Sequence, residues 1–379
     1  MTAKRGANAA VEGLTDGWAA NPHMAALPPY NAGMSLARAR SLSGHEDVAR
    51  LASNENPDGC SPAVLAALGG AGVEPWRYAD PACTALREAL ASRLQVDPDR
   101  IVFGNGSEEM IAAISRAILV PGALAVTVAP SFGLHEIEPL AAGARVVKVP
   151  MTGAAGFDLP ALEKAISKGP RLVFLSSPWN PVGVALDHAA LKRLIAAVRP
   201  GTLFVLDEAY FEFADAGAPD GIEVLRQSGI AHIVLRTFSK AYGLAGLRVG
   251  YAVCSDPALA RVVGSAKTPF NVNGVAQIAA IAALSDEAWM RSSVARLRAE
   301  RSRVAAALAA MGLAPAPSQT NFLFVDTGQD STAVASGLLA DGIIVKPWRE
   351  PGFESWLRIS IGRVDENDRL IASLTRLAA

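Results

Sequence analysis

Cysteine is scarce, with only Cys60, Cys83 and Cys254 in 379 residues and no Cys-x-x-Cys pair. The five histidines (His23, His45, His135, His188 and His232) never fall at a spacing such as His-x-x-x-His. A disulfide scaffold or a structural zinc site is therefore not expected, and reduced thiols fit a cytoplasmic protein. An excess of charge of one sign is missing too. Thirty-five Lys+Arg face 36 Asp+Glu, a formal net charge of −1. That balance gives no general electrostatic reason to bind nucleic acid or an anionic membrane. No run approaches the roughly 18 uninterrupted apolar residues of a membrane span, and no signal-peptide apolar region follows Lys4 and Arg5. A Gly-x-x-x-x-Gly-Lys-[Ser/Thr] nucleotide loop is also absent. What the chain has is apolar mass: 51% hydrophobic residues against 19% charged. Such a composition buries a sizeable core and excludes intrinsic disorder. The length suits two or three domains, or one large core with an appendage.

Residues 1–28 are rich in Ala, Gly, Asn and Pro without a strong period, and are expected to form a loose N-terminal arm. From about residue 61, helix and strand signals alternate. Ser61 and Pro62 before Ala63–Leu68 read as an N-cap, a first-position proline and a helix. Short apolar runs at 101–103, 123–128, 145–149, 172–175, 203–206 and 230–235 read as strands. Helical spacing at 84–94, 108–119, 131–141, 159–167 and 188–197 separates them. This grammar predicts an α/β fold, a mostly parallel sheet flanked by helices, with a large domain over 61–275. Beyond about 285 the pattern changes to a long Arg/Ala helix (287–311), an alternating strand (321–325), a helix (332–339) and a strand (357–361). With residues 29–60, the stretch 276–379 is expected to make a smaller α+β domain.

Polar residues just after parallel strands lie at the carboxyl edge of the sheet, where open α/β folds bind ligands. Lys240 follows one such strand, in Thr237-Phe238-Ser239-Lys240-Ala241-Tyr242-Gly243, with Arg248 close behind. A lysine buried among small residues loses its charge readily and can form a Schiff base. Thr237, Ser239 and Arg248 offer hydroxyl and guanidinium donors to a phosphate. Asp207 ends the most apolar strand. In nucleotide hydrolases such an acid holds magnesium, but the missing nucleotide loop removes that reading. A protonated pyridine nitrogen is another cationic partner for a buried carboxylate, and Tyr210 is three residues on. Gly104-Asn105-Gly106-Ser107-Glu108 joins a strand to a helix, as an anion-binding helix start or an ordinary turn. Asn180, in Pro178-Trp179-Asn180-Pro181, follows another strand. Phe132 is either a core aromatic or a ring that stacks on a cofactor.

In this order, these pieces resemble the fold-type I pyridoxal-phosphate aminotransferases, and within them the histidinol-phosphate aminotransferase branch. Leu51–Pro57, Arg77-Tyr78-Ala79-Asp80, the glycine loop, Asn180-Pro181-Val182-Gly183, Asp207–Ala214, the lysine motif and Trp356–Gly362 carry the likeness. The resemblance implies the PLP-transferase fold and pyridoxal 5′-phosphate as cofactor. It makes Lys240 the Schiff-base lysine and Asp207 the partner of the pyridinium nitrogen. Asn180 and Tyr210 would bond the ring oxygen, and Phe132 would stack on the ring with His135 behind it. The phosphate would sit on Gly106, Ser107 and Glu108 with Ser239 and Arg248. Tyr78 would reach it from a neighbouring subunit, which implies a homodimer with shared sites. Arg358 would clamp the substrate carboxylate, with Asn54 or Asn56 nearby.

Lys346 stands where many histidinol-phosphate enzymes carry an arginine for the substrate phosphate, and Trp348 beside it adds aromatic surface. The expected reaction passes the amino group of histidinol phosphate to 2-oxoglutarate. An aromatic amino acid aminotransferase is the alternative. A threonine-phosphate-type decarboxylase shares the lysine motif, and a non-enzymatic regulator domain would need a DNA-binding unit for which the arm is too short.

Overall fold

The computed structural model describes residues 20–28, 30, 32–70, 74 and 76–378. Of the arm expected over 1–28, residues 1–19 lie outside the described residues. Pro22–Ala25 forms one helical turn, capped by the Asn21 side chain.

Ala49–Arg50 is a short first strand, β1. The main sheet takes β2 (Ile101–Asn105), β3 (Leu124–Ala129), β4 (Arg145–Pro150), β5 (Leu172–Ser176), β6 (Leu203–Asp207), β7 (His232–Thr237) and β8 (Val249–Cys254). Their order is β2-β8-β7-β6-β5-β3-β4. Every pairing is parallel except those of β8, which runs antiparallel to both neighbours. Strands β5, β6 and β7 are buried at every position, the reason they read as unbroken apolar runs. Strand β8 is the one the apolar pattern did not single out, because Gly250 interrupts it. A side chain there would run into the Ser107 amide, at the start of the helix that follows β2. The glycine weakens the strand signal and permits close backbone approach.

A second sheet has the order β12-β13-β10-β9, with β9 Ala314–Pro315, β10 Phe322–Asp326, β12 Lys346–Pro347 and β13 Trp356–Ser360. Strand β11 (Ile343–Ile344) pairs in parallel with β1, which ties residues before 60 to the C-terminal part of the chain. The helix Gly274–Ser285 packs on the helices Pro62–Leu68 and Thr84–Leu94, and Glu287–Ala310 then runs to the second sheet. Fully buried rings such as Phe174, Trp179, Phe204, Phe238, Phe322 and Phe324 fill the core. Each contributes roughly 1.5–3 kcal/mol by leaving water. No described helix is long and apolar enough to cross a membrane.

The chain order places the site. After β3 the chain goes outward to β4, then returns to the other side of β3 for β5, β6 and β7. The strand order therefore reverses between β3 and β5. Loops leaving the carboxyl ends of these two strands part there, and the crevice between them is where such sheets bind ligands.

Candidate active site

A cavity of about 660 Å³ opens at these strand ends. It gathers Phe132 after β3, Asn180 after β5, Asp207 and Tyr210 from the end of β6, and Thr237, Ser239 and Lys240 from β7 onward. Gly106, Ser107, Glu108, Arg248, Asn54, Lys346 and Arg358 also line it. Residues scattered over 300 positions thus share one chamber.

Lys240 lies on the tight turn after β7. Its Nζ donates to the Ser53 carbonyl at 3.1 Å. Burial, reinforced by the positive charge of Arg358, pushes its pKa down to about 8. Its neutral, nucleophilic amine is therefore populated far closer to neutral pH than that of a surface lysine.

Asp207, the last residue of β6, and Glu208 just after it point opposite ways, continuing the strand's alternation. Asp207 is 5% exposed and faces the cavity. Its Oδ1 accepts the Ala209 amide at 3.0 Å, and its Oδ2 lies 3.0 Å from His135 Nε2. A carboxylate only accepts, so the contact needs the proton on Nε2. His135 Nδ1 is buried without a partner. The ring stacks on Phe174, centroids 5.1 Å apart. Glu208 turns into the core and accepts Arg236 Nε and Nη2 at 2.9 and 2.7 Å. Burial raises its pKa to about 7 against the pull of Arg236. The two neighbouring acids thus have separate work, one open to a ligand and one bracing the strand end.

The helix Gly106–Ile118 begins at Asn105 with no side-chain cap, so its first amides are available at the cavity wall. Gly106 has φ +74°, and a Cβ there would stand 2.5 Å from Arg248 Nη2. Only glycine lets this turn and the guanidinium sit so close. Arg248 Nη2 donates to Glu108 Oε2 at 3.1 Å and to the Asn105 carbonyl at 3.3 Å. Ser239 Oγ accepts from Thr237 Oγ1 at 3.0 Å.

Arg358 lies in β13, directly opposite Lys346 of β12. Such partners stand about 4.5–5.5 Å apart at Cβ. Arg358 donates to Asn180 Oδ1 at 2.8 Å and to the Ala52 carbonyl at 2.6 Å, while its buried Nε has no partner. Lys346 is pushed down to about 8 by burial and then by Arg358. Two cations held this close make an anion site. Tyr210 OH accepts from Asn54 Nδ2 at 2.8 Å, and burial raises the phenol to about 12, so it stays protonated. Asn54 is itself held by Ser360 Oγ and by a left-handed backbone, φ +56°.

Two expected residues stand elsewhere. Asn56 does not line the cavity, because its amide is committed to the Ala241 carbonyl and Ser293 Oγ. Tyr78 is 83% exposed and stacks on Phe270 outside the chamber. Conversely, Tyr30, Ser53, Glu136, Lys148 and Glu350 line the cavity without having been singled out. Lys148 carries a visible signal, a charge inside the apolar run Arg145–Pro150. Tyr30 has none, being set among residues without a period.

This donor set fits a phosphorylated pyridine aldehyde. Uncapped amides and Arg248 suit a phosphate, a carboxylate braced by a histidine suits a protonated ring nitrogen, and the amine of depressed pKa suits imine formation. Histidinol-phosphate aminotransferase 3 of Rhizobium meliloti is 44% identical over 354 residues, 93% of this chain and 96% of its own length. Histidinol-phosphate aminotransferase 1 of Mesorhizobium japonicum is 44% identical over 355 residues, 92% of this chain and 95% of its own. The crystal structure of histidinol-phosphate aminotransferase from Sinorhizobium meliloti in complex with pyridoxal-5′-phosphate superposes with a TM-score of 0.88. It is 32% identical, covering 97% of this chain and 99% of that one. The profile of the aminotransferase class I and II family matches residues 46–374. By the extent of that match and the identity of these relatives, the chain belongs to the class I and II aminotransferases.

Proposed function

We propose that this protein is a pyridoxal-phosphate-dependent aminotransferase that moves the amino group of histidinol phosphate to 2-oxoglutarate, giving imidazole acetol phosphate and glutamate. The observation that carries the substrate is the pair Lys346 and Arg358, opposed on neighbouring strands and lining the chamber of Lys240. Histidinol phosphate has a phosphate where an ordinary amino-acid substrate has a carboxylate. A dianion at that end calls for a second cation beside the arginine. Glutamate, its counterpart in the cycle, uses the planar fork of Arg358 for its α-carboxylate.

Gly106, Ser107 and Glu108 with Thr237, Ser239 and Arg248 would hold the cofactor phosphate. Asp207 would keep the ring nitrogen protonated, Asn180 and Tyr210 would hold the ring oxygen, and Phe132 would cover one face. Bound there, pyridoxal phosphate supplies a carbonyl that condenses with amines and a ring that takes up the electron pair left when an α-proton departs. Lys240, freed by the incoming amine, takes that proton from the substrate α-carbon. Arg358 and Lys346 orient the substrate so that the carbon meets Lys240 rather than water. Donor and acceptor then alternate in one site, which gives ping-pong kinetics.

Purified protein should be yellow, and borohydride should trap the cofactor on Lys240. Lys240→Ala should keep its fold and lose transamination. A peptide map that places the reduced adduct elsewhere overturns the assignment. A panel of histidinol phosphate, phenylalanine and tyrosine checks the substrate. Preference for the aromatic amino acids would turn Trp348, which also lines the cavity, into the determinant.

A further inference from the structure

The charged cluster at the mouth of the chamber has no part in the chemistry above. Glu350 sits between β12 and β13, its side chain only 16% exposed. Its Oε1 accepts Lys148 Nζ at 2.9 Å, and its Oε2 accepts the Ser131 amide at 3.2 Å and Trp348 Nε1 at 3.3 Å. Lys148, on the edge strand β4, also donates to Glu136 at 2.9 Å. Burial works against its charge, but the bonds to Glu136 and Glu350 outweigh that and raise its pKa. Two acids share one lysine, so the ammonium stays fully charged at any working pH.

These contacts join parts of the chain 202 and 219 positions apart. One side is the main sheet: β4 and the Ser131 amide, which immediately precedes Phe132 on the cavity wall. The other side is the second sheet. There Trp348 packs edge-on to Phe324, with the Arg358 guanidinium 5.9 Å over its ring. A continuous run of contacts therefore leads from Lys148 through Glu350 and Trp348 to Arg358.

Resting on the function proposed above, we infer that Glu350 is a positioning residue for transamination. With Lys148 it clamps the second sheet onto the main one and sets Arg358 and Trp348 opposite Phe132. Because Arg358 serves both substrates in turn, the clamp acts on both. It touches neither the residues that would hold the cofactor phosphate nor Asp207, so its loss should fall on substrate binding before cofactor binding.

The test is made on cofactor-loaded enzyme. Glu350→Gln keeps an oxygen for the Ser131 amide and Trp348 but loses the ion pair, and Lys148→Met loses it from the other side. Each should raise KM for both histidinol phosphate and 2-oxoglutarate by about fivefold with kcat within about twofold, the signature of lost binding common to ground and transition state. The double variant should be no worse than either single one, and Lys148→Arg should restore wild-type KM. Cofactor absorbance and its dissociation constant should not change. Unchanged KM in both single variants overturns the inference. So does a loss that appears as weaker cofactor retention or a lower melting temperature with no KM effect. A wild type that turns over no substrate of the panel sinks the functional reading instead, whatever these variants do.

Discussion

At the scale of single residues, the distinction that matters is between neighbours of the same chemistry. Asp207 and Glu208 are adjacent acids, yet strand alternation sends one into the chamber and one against Arg236. His135 then fixes the carboxylate of Asp207 from behind, through a single proton on Nε2. Asp207→Asn should still bind the cofactor. An amide does not keep a pyridine nitrogen protonated as a carboxylate does, so kcat should fall roughly 10²-fold or more, the scale of losing one preorganised electrostatic contact. Turnover within a few-fold of wild type, measured with cofactor saturating, would rule out the pyridinium role.

At the scale of elements, the antiparallel register of β12 and β13 is decisive. A shift of one residue would turn Lys346 to the opposite face from Arg358. Burial, and then the nearby charge of Arg358, lowers the pKa of Lys346 to about 8. The sign of the pH effect follows. A phosphate monoester becomes a dianion above about pH 6, while Lys346 in the free enzyme loses its charge above about 8. The kcat/KM for histidinol phosphate should therefore rise to a plateau between those values and decline above them, over and above the profile shared with glutamate. Lys346→Ala should remove the selective decline and cost about ten- to hundred-fold in kcat/KM for the phosphorylated substrate, as expected for a charge-assisted bond of about 1.5–3 kcal/mol. Phenylalanine should be nearly indifferent. Equal losses for all substrates in the same variant would show Lys346 to be structural.

At the scale of the whole molecule, three exposed aromatic rings ask for a partner. Trp76 is 73% exposed, Tyr78 83% and Phe270 44%. Aromatic rings in such number are enriched at interfaces and wasteful in water. We propose that the stacked pair Tyr78 and Phe270 lies at the contact of a homodimer in which each Tyr78 enters the other subunit's site. Lys240→Ala and Tyr78→Ala proteins, each inactive or nearly so, should then recover activity when unfolded and refolded together. The hybrid holds one site with both native residues. Mixed refolding that recovers nothing, in dimers confirmed by light scattering, would place Tyr78 outside the partner's site.

Much was determined by sequence alone. Apolar runs ending in Asp207 or Lys240, and a glycine loop before a helix, declare a strand and the polar group at its end, because burial on both faces leaves no other pattern. The family likeness rests on those same segments. Other features depend on pairings between distant positions, which no local window contains. The glycine inside β8 at position 250 is intelligible only against the Ser107 amide, and the choice between Asn54 and Asn56 only against Tyr210 and Ser293. Glu350 meets Lys148 of the main sheet because the second sheet is folded down on the first, and Tyr30 joins the wall edge-on to Phe132. Local chemistry thus named the groups that react. The strand-order reversal and the packing of two sheets decided which groups stand around them and at what charge.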